Sequence, residues 1–129
     1  MASPRRVRPT EAEISILQVL WQRGPCTVRD VYEVLAKKRS VGYTTALKLM
    51  QIMTVKGLVV RDERRRSHVY KATRGEEETQ TQLVRDLLNR AFGGSARKLV
   101  MQALAVQKSS PEDLEKIRAM LDQFEEKNQ

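Results

Sequence analysis

Three polar side chains recur at helical spacing between residues 43 and 56. Thr44, Lys48 and Gln51 are four and three residues apart, while apolar side chains occupy positions 46, 49, 50 and 53. This period predicts an amphipathic helix with a polar face opposite an apolar one. A lysine can donate to guanine O6 and N7, and a glutamine can bridge adenine N6 and N7. The polar face is therefore suited to reading bases in a major groove; a merely solvated face is the alternative.

Three consecutive arginines follow this helix, at Arg64, Arg65 and Arg66. They stand between two short β-prone segments, residues 59–63 and 68–72, so the pattern predicts a hairpin with the arginines in its turn. Gly57 ends the preceding helix. Arginines on a flexible loop lack the fixed geometry of bidentate base recognition, so we expect contacts to DNA phosphates or the minor groove. A reading helix beside a basic hairpin is the winged-helix arrangement.

Two further helices are predicted before the reading helix. Thr10 and Glu13 have the spacing of a capping box, in which each side chain bonds the other residue's backbone amide. Thr27, with Asp30 three residues later, predicts the start of the second helix. Two helices, a reading helix and a hairpin follow the plan of a helix-turn-helix domain with a wing.

Residues at the starts of the second and third helices complete the set of candidate DNA-binding side chains. The whole set is Thr27, Arg29, Tyr43, Thr44, Thr45, Lys48, Gln51, Arg64, Arg65 and Arg66. Capping of the helix by the hydroxyls of Thr44 and Thr45 is the alternative role for these two residues, and it is compatible with DNA contact. For Tyr43, packing beneath the helix start is the alternative to touching DNA.

The charge of the chain is unevenly distributed along its 129 residues. The formal net charge is +8, but residues 1–74 hold 16 Lys and Arg against 6 Asp and Glu, a net charge of +10. Residues 75–129 hold 8 against 10, a net charge of −2. This distribution is typical of a nucleic-acid-binding module joined to a neutral assembly module, whereas a basic half that is merely soluble is the alternative.

Three amphipathic helices are predicted after residue 74: the first begins at the acidic residues 76–78, the second is capped by Ser95, and the third begins at Ser110 with Pro111 in its first turn. Their apolar stripes are Leu83, Leu87, Leu88 and Phe92 in the first, Leu99 and Leu104 in the second, and Leu114, Ile117, Leu121 and Phe124 in the third. So short a segment cannot bury all these stripes by itself. We therefore expect them to form a two-fold homodimer, the alternative being that they pack on residues 1–74 of a monomer.

Several classes of protein are disfavoured by the composition. We identify no nucleophile with a base, no phosphate-cradling glycine loop and no paired carboxylates in an apolar setting, so an enzyme is not expected. His68 has no partner residues for a metal site, and Cys26 is expected to be a small buried hydrophobe; no cofactor is indicated. The longest apolar run is four residues, and the N-terminus lacks the apolar core of a signal peptide. We therefore expect a cytoplasmic protein without a membrane span.

The predicted fold is mostly α with a small β-hairpin. It comprises an N-terminal winged helix-turn-helix domain, residues 10–74, and a C-terminal three-helix dimerisation domain, residues 75–129. Residues 1–9, with arginines at 5, 6 and 8, are expected to be a disordered basic arm, the alternative being an arm that binds the minor groove.

The order of several short motifs resembles the penicillinase repressor family of BlaI/MecI type. These are T-E-A-E-I-S-I-L-Q-V-L-W at 10–21, T-V-R-D-V at 27–31, Y-T-T-A at 43–46, K-G-L at 56–58, Y-K-A at 70–72, F-G-G-S at 92–95 and S-P-E-D-L at 110–114. The resemblance covers nearly the whole chain. It implies a winged helix followed by a helical dimerisation domain, and a dimeric repressor on a palindromic operator.

Three departures from the family limit what the resemblance implies. Members that respond to β-lactams are cleaved at an Asn-Phe bond, where this chain has Gln102-Ala103, so induction by that cleavage is not expected. Copper-responsive relatives carry a cysteine cluster near the C-terminus, whereas this chain has no cysteine after position 26. Leu47 and Ile52 replace residues that are often polar or basic, so the operator sequence is not transferable.

The predicted function is a sequence-specific repressor that binds double-stranded DNA. It would bind a palindromic operator as a homodimer, with the helix 43–56 in the major groove and the wing 64–67 on the backbone or in the minor groove. The alternative functions are a sequence-indifferent architectural DNA-binding protein and a winged helix used for protein contact. A large preference for operator over random DNA distinguishes the first from the others.

Overall fold

The computed structural model describes residues 8–38 and 41–128, and these ranges contain six helices and three short strands. In chain order they are α1 (Glu11–Arg23), β1 (Cys26–Thr27), α2 (Val28–Lys38), α3 (Tyr43–Lys56), β2 (Val59–Asp62), β3 (Val69–Ala72), α4 (Glu76–Ala91), α5 (Ala96–Val106) and α6 (Pro111–Lys127). The chain is mostly helical with one small antiparallel sheet, so the predicted fold class is confirmed. The predicted basic arm falls largely on residues 1–7, which lie outside the described residues.

The helices begin where local side chains can bind their free amides. The Thr10 hydroxyl accepts from the Glu13 amide at 3.2 Å, and the Thr10 amide donates to the Glu13 carboxylate at 2.8 Å. Thr27 and Asp30 make the same reciprocal pair at the start of α2, with both distances 3.1 Å. Each pair satisfies two amides that the helix itself cannot bond, which explains why α1 and α2 begin at these positions.

A single core joins α1, α2 and α3 to the sheet. Its most buried side chains come from each of these elements, and they include Ile16, Val31, Ala46, Met50, Met53, Val59 and Tyr70. Trp21 lies at the edge of the core, where its indole N–H donates to the Arg74 carbonyl at 3.0 Å. This bond joins α1 to the segment of chain that follows β3.

The sheet has the order β1-β3-β2, so β3 is the central strand. Tyr70 pairs with Cys26 on one side and with Arg61 on the other. The prediction missed β1, because two residues are too few to show an alternating pattern. Cys26 is buried as expected, and its Sγ lies 3.1 Å from the Gly24 carbonyl oxygen.

The chain divides into two compact units, one ending at Val84 and the other beginning at Arg85. This division falls within α4, ten residues after the boundary that we expected from composition. The beginning of α4 belongs to the first unit, where Thr79, Gln82 and Leu83 line a small cleft with Leu58. α4 is therefore a continuous helix that begins in the first unit and ends in the second.

Candidate nucleic-acid interface

The helix α3 has the two faces that its sequence predicts. Ala46, Met50 and Met53 have no exposed surface, because they pack in the core of the first unit. On the opposite side, three polar side chains and one apolar side chain are exposed along a line parallel to the helix axis, at Thr44, Lys48, Gln51 and Val55. The apolar contacts hold the helix and leave the side chains suited to base recognition free to reach a ligand.

The first turn of α3 is not capped by a side chain in the described part of the chain. Its N-cap is Gly42, which has no side chain to accept a hydrogen bond. The hydroxyls of Thr44 and Thr45 therefore do not cap the helix, and both residues are exposed. Free amides at the positive end of a helix are suited to binding a phosphate. The alternative role considered for the two threonines is thus absent in this structure.

Tyr43 packs against α2 and also stays exposed. Its ring meets that of Tyr32 edge to face, with centroids 5.8 Å apart and an interplanar angle of 78°. The Arg29 guanidinium lies over the Tyr43 ring, 5.4 Å from its centroid. Because 41% of Tyr43 remains exposed, these contacts orient the ring without hiding it. They also fix Arg29 at the start of α2 beside the start of α3.

One open cleft brings together candidates from three elements of the first unit. It lies between the start of α2, the outer side of α3 and the wing, which is the segment 63–68 with its flanking strands β2 and β3. Its lining includes Thr27, Arg29, Tyr43, Leu47 and Arg66. A sequence reading could place these residues on separate elements only, whereas the fold makes them neighbours.

The three arginines of the wing are not equivalent. Arg64 forms three hydrogen bonds from its side chain to the Asp62 carboxylate: Nε donates to Oδ1 at 3.0 Å and to Oδ2 at 3.3 Å, and Nη2 donates to Oδ2 at 2.8 Å. These bonds, together with one from the Arg64 amide, hold the pKa of the Asp62 carboxyl well below its usual range. For Arg65 and Arg66, the described part of the chain records neither a hydrogen bond nor an ion pair, and both are exposed. Sequence reasoning treated the three residues alike and missed this difference.

A buried ion pair joins the beginning of α1 to the end of α3. The ammonium of Lys56 lies 2.9 and 3.0 Å from the two carboxylate oxygens of Glu13. The Glu13 side chain is 2% exposed and that of Lys56 is 28% exposed. Burial alone would raise the pKa of Glu13, but hydrogen bonds from the Thr10 amide and from Lys56 outweigh it, so the pKa lies below its ordinary value. Neither residue lies on the exposed face of α3, but the pair holds the last turn of α3 against the first turn of α1.

The predicted dimerisation residues are incompletely covered in the structure. Leu83 lies in the first unit and lines the cleft with Leu58, whereas the other nine lie in the second unit. None of the described residues of α4, α5 and α6 is buried. The large apolar side chains exposed there are Val84, Leu87, Val100, Met101, Leu104, Val106, Met120, Leu121 and Phe124.

Residues 8–38 and 41–128 show neither a metal-binding group nor a membrane-spanning helix. No group of three or more side chains that could hold a metal ion occurs among them. None of the helices in these ranges has both the length and the apolar character needed to cross a membrane.

Comparison with known proteins gives one consistent result. A sequence model of the family described as penicillinase repressor matches residues 9–123. The chain is 28% identical over 116 residues to the transcriptional regulator BlaI of two strains of Mycobacterium tuberculosis, an alignment that covers 89% of this chain and 83% of that protein. It is 18% identical over 123 residues to the penicillinase repressor of Staphylococcus aureus, covering 95% of this chain and 98% of that protein.

Proposed function

The chain belongs to the penicillinase repressor family and is a DNA-binding transcriptional repressor, and we propose that it binds a palindromic operator as a homodimer. In this proposal residues 10–74 contact DNA and residues 75–129 form the dimer. The observation that carries it is the combination of an exposed polar line on α3 with an unburied apolar second unit. The first supplies a reading surface, and the second requires a partner.

The proposed reading element is α3 in the major groove. Lys48 and Gln51 are exposed on the side of the helix opposite the buried methionines, so both side chains are free to reach base edges. A lysine can donate to guanine O6 and N7, whereas a glutamine can donate to adenine N7 and accept from N6, and a good base contact discriminates by about 1–3 kcal/mol. Thr44 and Thr45, with the uncapped amides of the first turn, are proposed to bind phosphates at the edge of the groove.

The proposed positioning contacts come from the cleft and the wing. Arg29 and Tyr43 lie side by side at the N-terminal end of α3, and Arg65 and Arg66 extend from the turn of the hairpin. Contacts of this kind bind the sugar-phosphate backbone of any duplex, so they fix the position of the protein without reading the sequence. In this proposal α3 supplies the preference for the operator sequence, and the wing supplies affinity for any duplex.

The proposed dimer is formed by the second unit. A stretch of three helices without a buried side chain among its described residues exposes more apolar surface than an isolated soluble domain normally does. A second copy of the chain is the partner that supplies a matching surface by symmetry. Leu104, Leu121 and Phe124 are proposed to lie in this interface, because each exposes 40% or more of its surface.

Two-fold symmetry places a geometric condition on the operator. Both copies of α3 must meet a major groove on the same side of the duplex, so the half-site centres should be about 10 bp apart, or a multiple of that distance. An operator recovered by selection from a pool of random duplexes should therefore be an inverted repeat. Inserting about five base pairs at its centre should reduce binding towards the affinity for random DNA, which footprinting on the two spacings measures.

A pair of substitutions tests the division between selection and attachment. Lys48→Ala should weaken binding to the selected operator by about 1–3 kcal/mol and binding to random DNA much less. Arg65→Ala, the matched control on the wing, should weaken both by similar factors. Equal losses on both DNAs from Lys48→Ala would instead favour a sequence-indifferent architectural protein.

A further inference from the structure

The wing contains an acidic residue, Asp62, that would compete with DNA phosphates for the guanidinium of Arg64. The carboxylate of Asp62 binds the guanidinium of Arg64 through both oxygens, at 3.0 and 2.8 Å, and also accepts the Arg64 amide at 3.0 Å. Two parallel N–H···O bonds are the geometry in which an arginine also binds a phosphate. The carboxylate therefore occupies the same donors that a DNA phosphate would use.

We propose that Asp62 acts as an internal substitute for a DNA phosphate, which withholds Arg64 from the duplex and so limits the sequence-independent part of the affinity. The proposal rests on the proposed function, since it needs the wing to lie against DNA. It assigns the backbone contacts of the wing turn to Arg65 and Arg66. Asp62 is thus a positioning residue that acts through Arg64.

The hairpin keeps this competitor in place. Asp62 is the last residue of β2 and pairs with Val69 of the central strand, so its backbone is fixed by the sheet. A phosphate that bound Arg64 would have to break these side-chain hydrogen bonds and leave the carboxylate without its guanidinium partner beside a negatively charged DNA backbone. Arg61 is also paired within the hairpin, with Glu63. The net positive charge left at the wing is therefore that of Arg65 and Arg66 in the turn and Lys71 in β3.

The size of the effect follows from counterion release. Each phosphate contact contributes about 0.9 to the slope of log affinity against log salt concentration, which corresponds to about fivefold in affinity at 0.15 M salt. Release of Arg64 should add one such contact for each wing on the duplex. Because every sequence has phosphates, the gain should appear on random DNA as well as on the operator.

The experiment measures binding of the full chain to a random duplex by fluorescence anisotropy between 0.05 and 0.3 M salt. Asp62→Asn should bind about fivefold tighter per wing at 0.15 M, with a slope steeper by about 0.9 per wing. The double variant Asp62→Asn with Arg64→Gln should return to the wild-type slope. Glu33→Gln, which removes the same charge at an exposed position of the cleft that Arg66 also lines, leaves the Asp62–Arg64 contact intact and should change the slope by less than half as much.

The result that overturns the proposal is a wild-type slope for Asp62→Asn, which would mean that Arg64 is already on the duplex. Equal slope changes in Asp62→Asn and Glu33→Gln also overturn it, because a general charge effect would then be sufficient. A failure of the proposed function gives a different result: the wild type itself, and Arg65→Gln beside it, would show no salt-dependent binding to DNA. Fluorescence of Trp21 verifies that each variant is folded.

Discussion

Replacing Lys56 with methionine tests the ion pair that attaches α3 to α1. Methionine keeps the length of the apolar stem and has nearly the same helix propensity as lysine, so the substitution removes little besides the charge and its hydrogen bonds. Among the described residues, it leaves the Glu13 carboxylate, 2% exposed, with Thr10 as the remaining partner that stabilises its charge. An unpaired buried carboxylate is strongly unfavourable.

The expected loss of stability is about 3 kcal/mol. Removing one partner of a buried ion pair costs about 3–5 kcal/mol, and the lower end applies because the Lys56 side chain is 28% exposed and keeps part of its hydration. For a domain of this size, such a loss lowers the melting temperature by roughly 12 °C or more. A second substitution, Glu13→Gln, should recover most of the loss, because a neutral amide in place of the carboxylate still accepts from Thr10.

The assay is unfolding in urea followed by tryptophan fluorescence. Trp21 is the single tryptophan of the chain and lies at the edge of the core that the ion pair supports. The matched control is Lys48→Met, the same chemical change at an exposed position of the same helix, with an expected effect within about 0.5 kcal/mol. If Lys56→Met costs no more than this control, the two carboxylate contacts do not stabilise the fold and the reasoning is wrong.

Four further outcomes are expected. The pKa of Glu13 is lower in the folded chain than its unfolded value of about 4.3. The contribution of Glu13 to stability is therefore complete above about pH 5 and is lost as the pH falls through the folded pKa. Glu13→Gln should flatten this part of the pH dependence of the unfolding free energy, measured by urea titration. Burial raises the pKa of the Cys26 thiol, so a colorimetric thiol reagent should react only after urea unfolds the chain. Gly57→Ala should cost about 1–2 kcal/mol in the same titrations, since its φ of 81° is strained for a residue with a side chain. Phe124→Asp should shift the protein to monomers in sedimentation, whereas Gln123→Asp, beside the exposed apolar stripe, should leave the dimer intact.

Local features of the fold were predictable from the sequence. The bounds of α3 agree with the prediction because its apolar period continues to Lys56 and Gly57 supplies the left-handed cap. The starts of α5 and α6 agree because Ser95 and Ser110 accept from amides three residues later. Signals of this kind depend on residues within one turn of each other, so they survive without knowledge of the tertiary structure.

Two of the features that sequence reasoning missed are ion pairs. One joins residues far apart in the chain, and the other depends on the backbone conformation of the hairpin turn. Glu13 was recognised as part of a capping box, but nothing in its neighbourhood indicates that Lys56, 43 residues later, is its partner. Asp62 and Arg64 are only two residues apart, yet whether they bind each other depends on the backbone of the hairpin turn. The DNA-contact and dimerisation residues stay predictions, supported by their exposure and grouping.

In the wing, the residues that stabilise the fold are different from the residues that a ligand would contact. Tyr70 and Val59 are buried and pinned in the sheet, whereas residues 63–68 are all exposed and contribute nothing to the core. Substitutions in the turn should therefore have little effect on folding, whereas substitutions of Val59 or Tyr70 should destabilise the core. If the wing attaches to DNA as proposed, exchanging charges at the six positions 63–68 can strengthen or weaken the attachment, while the proposed reading helix keeps its sequence preference.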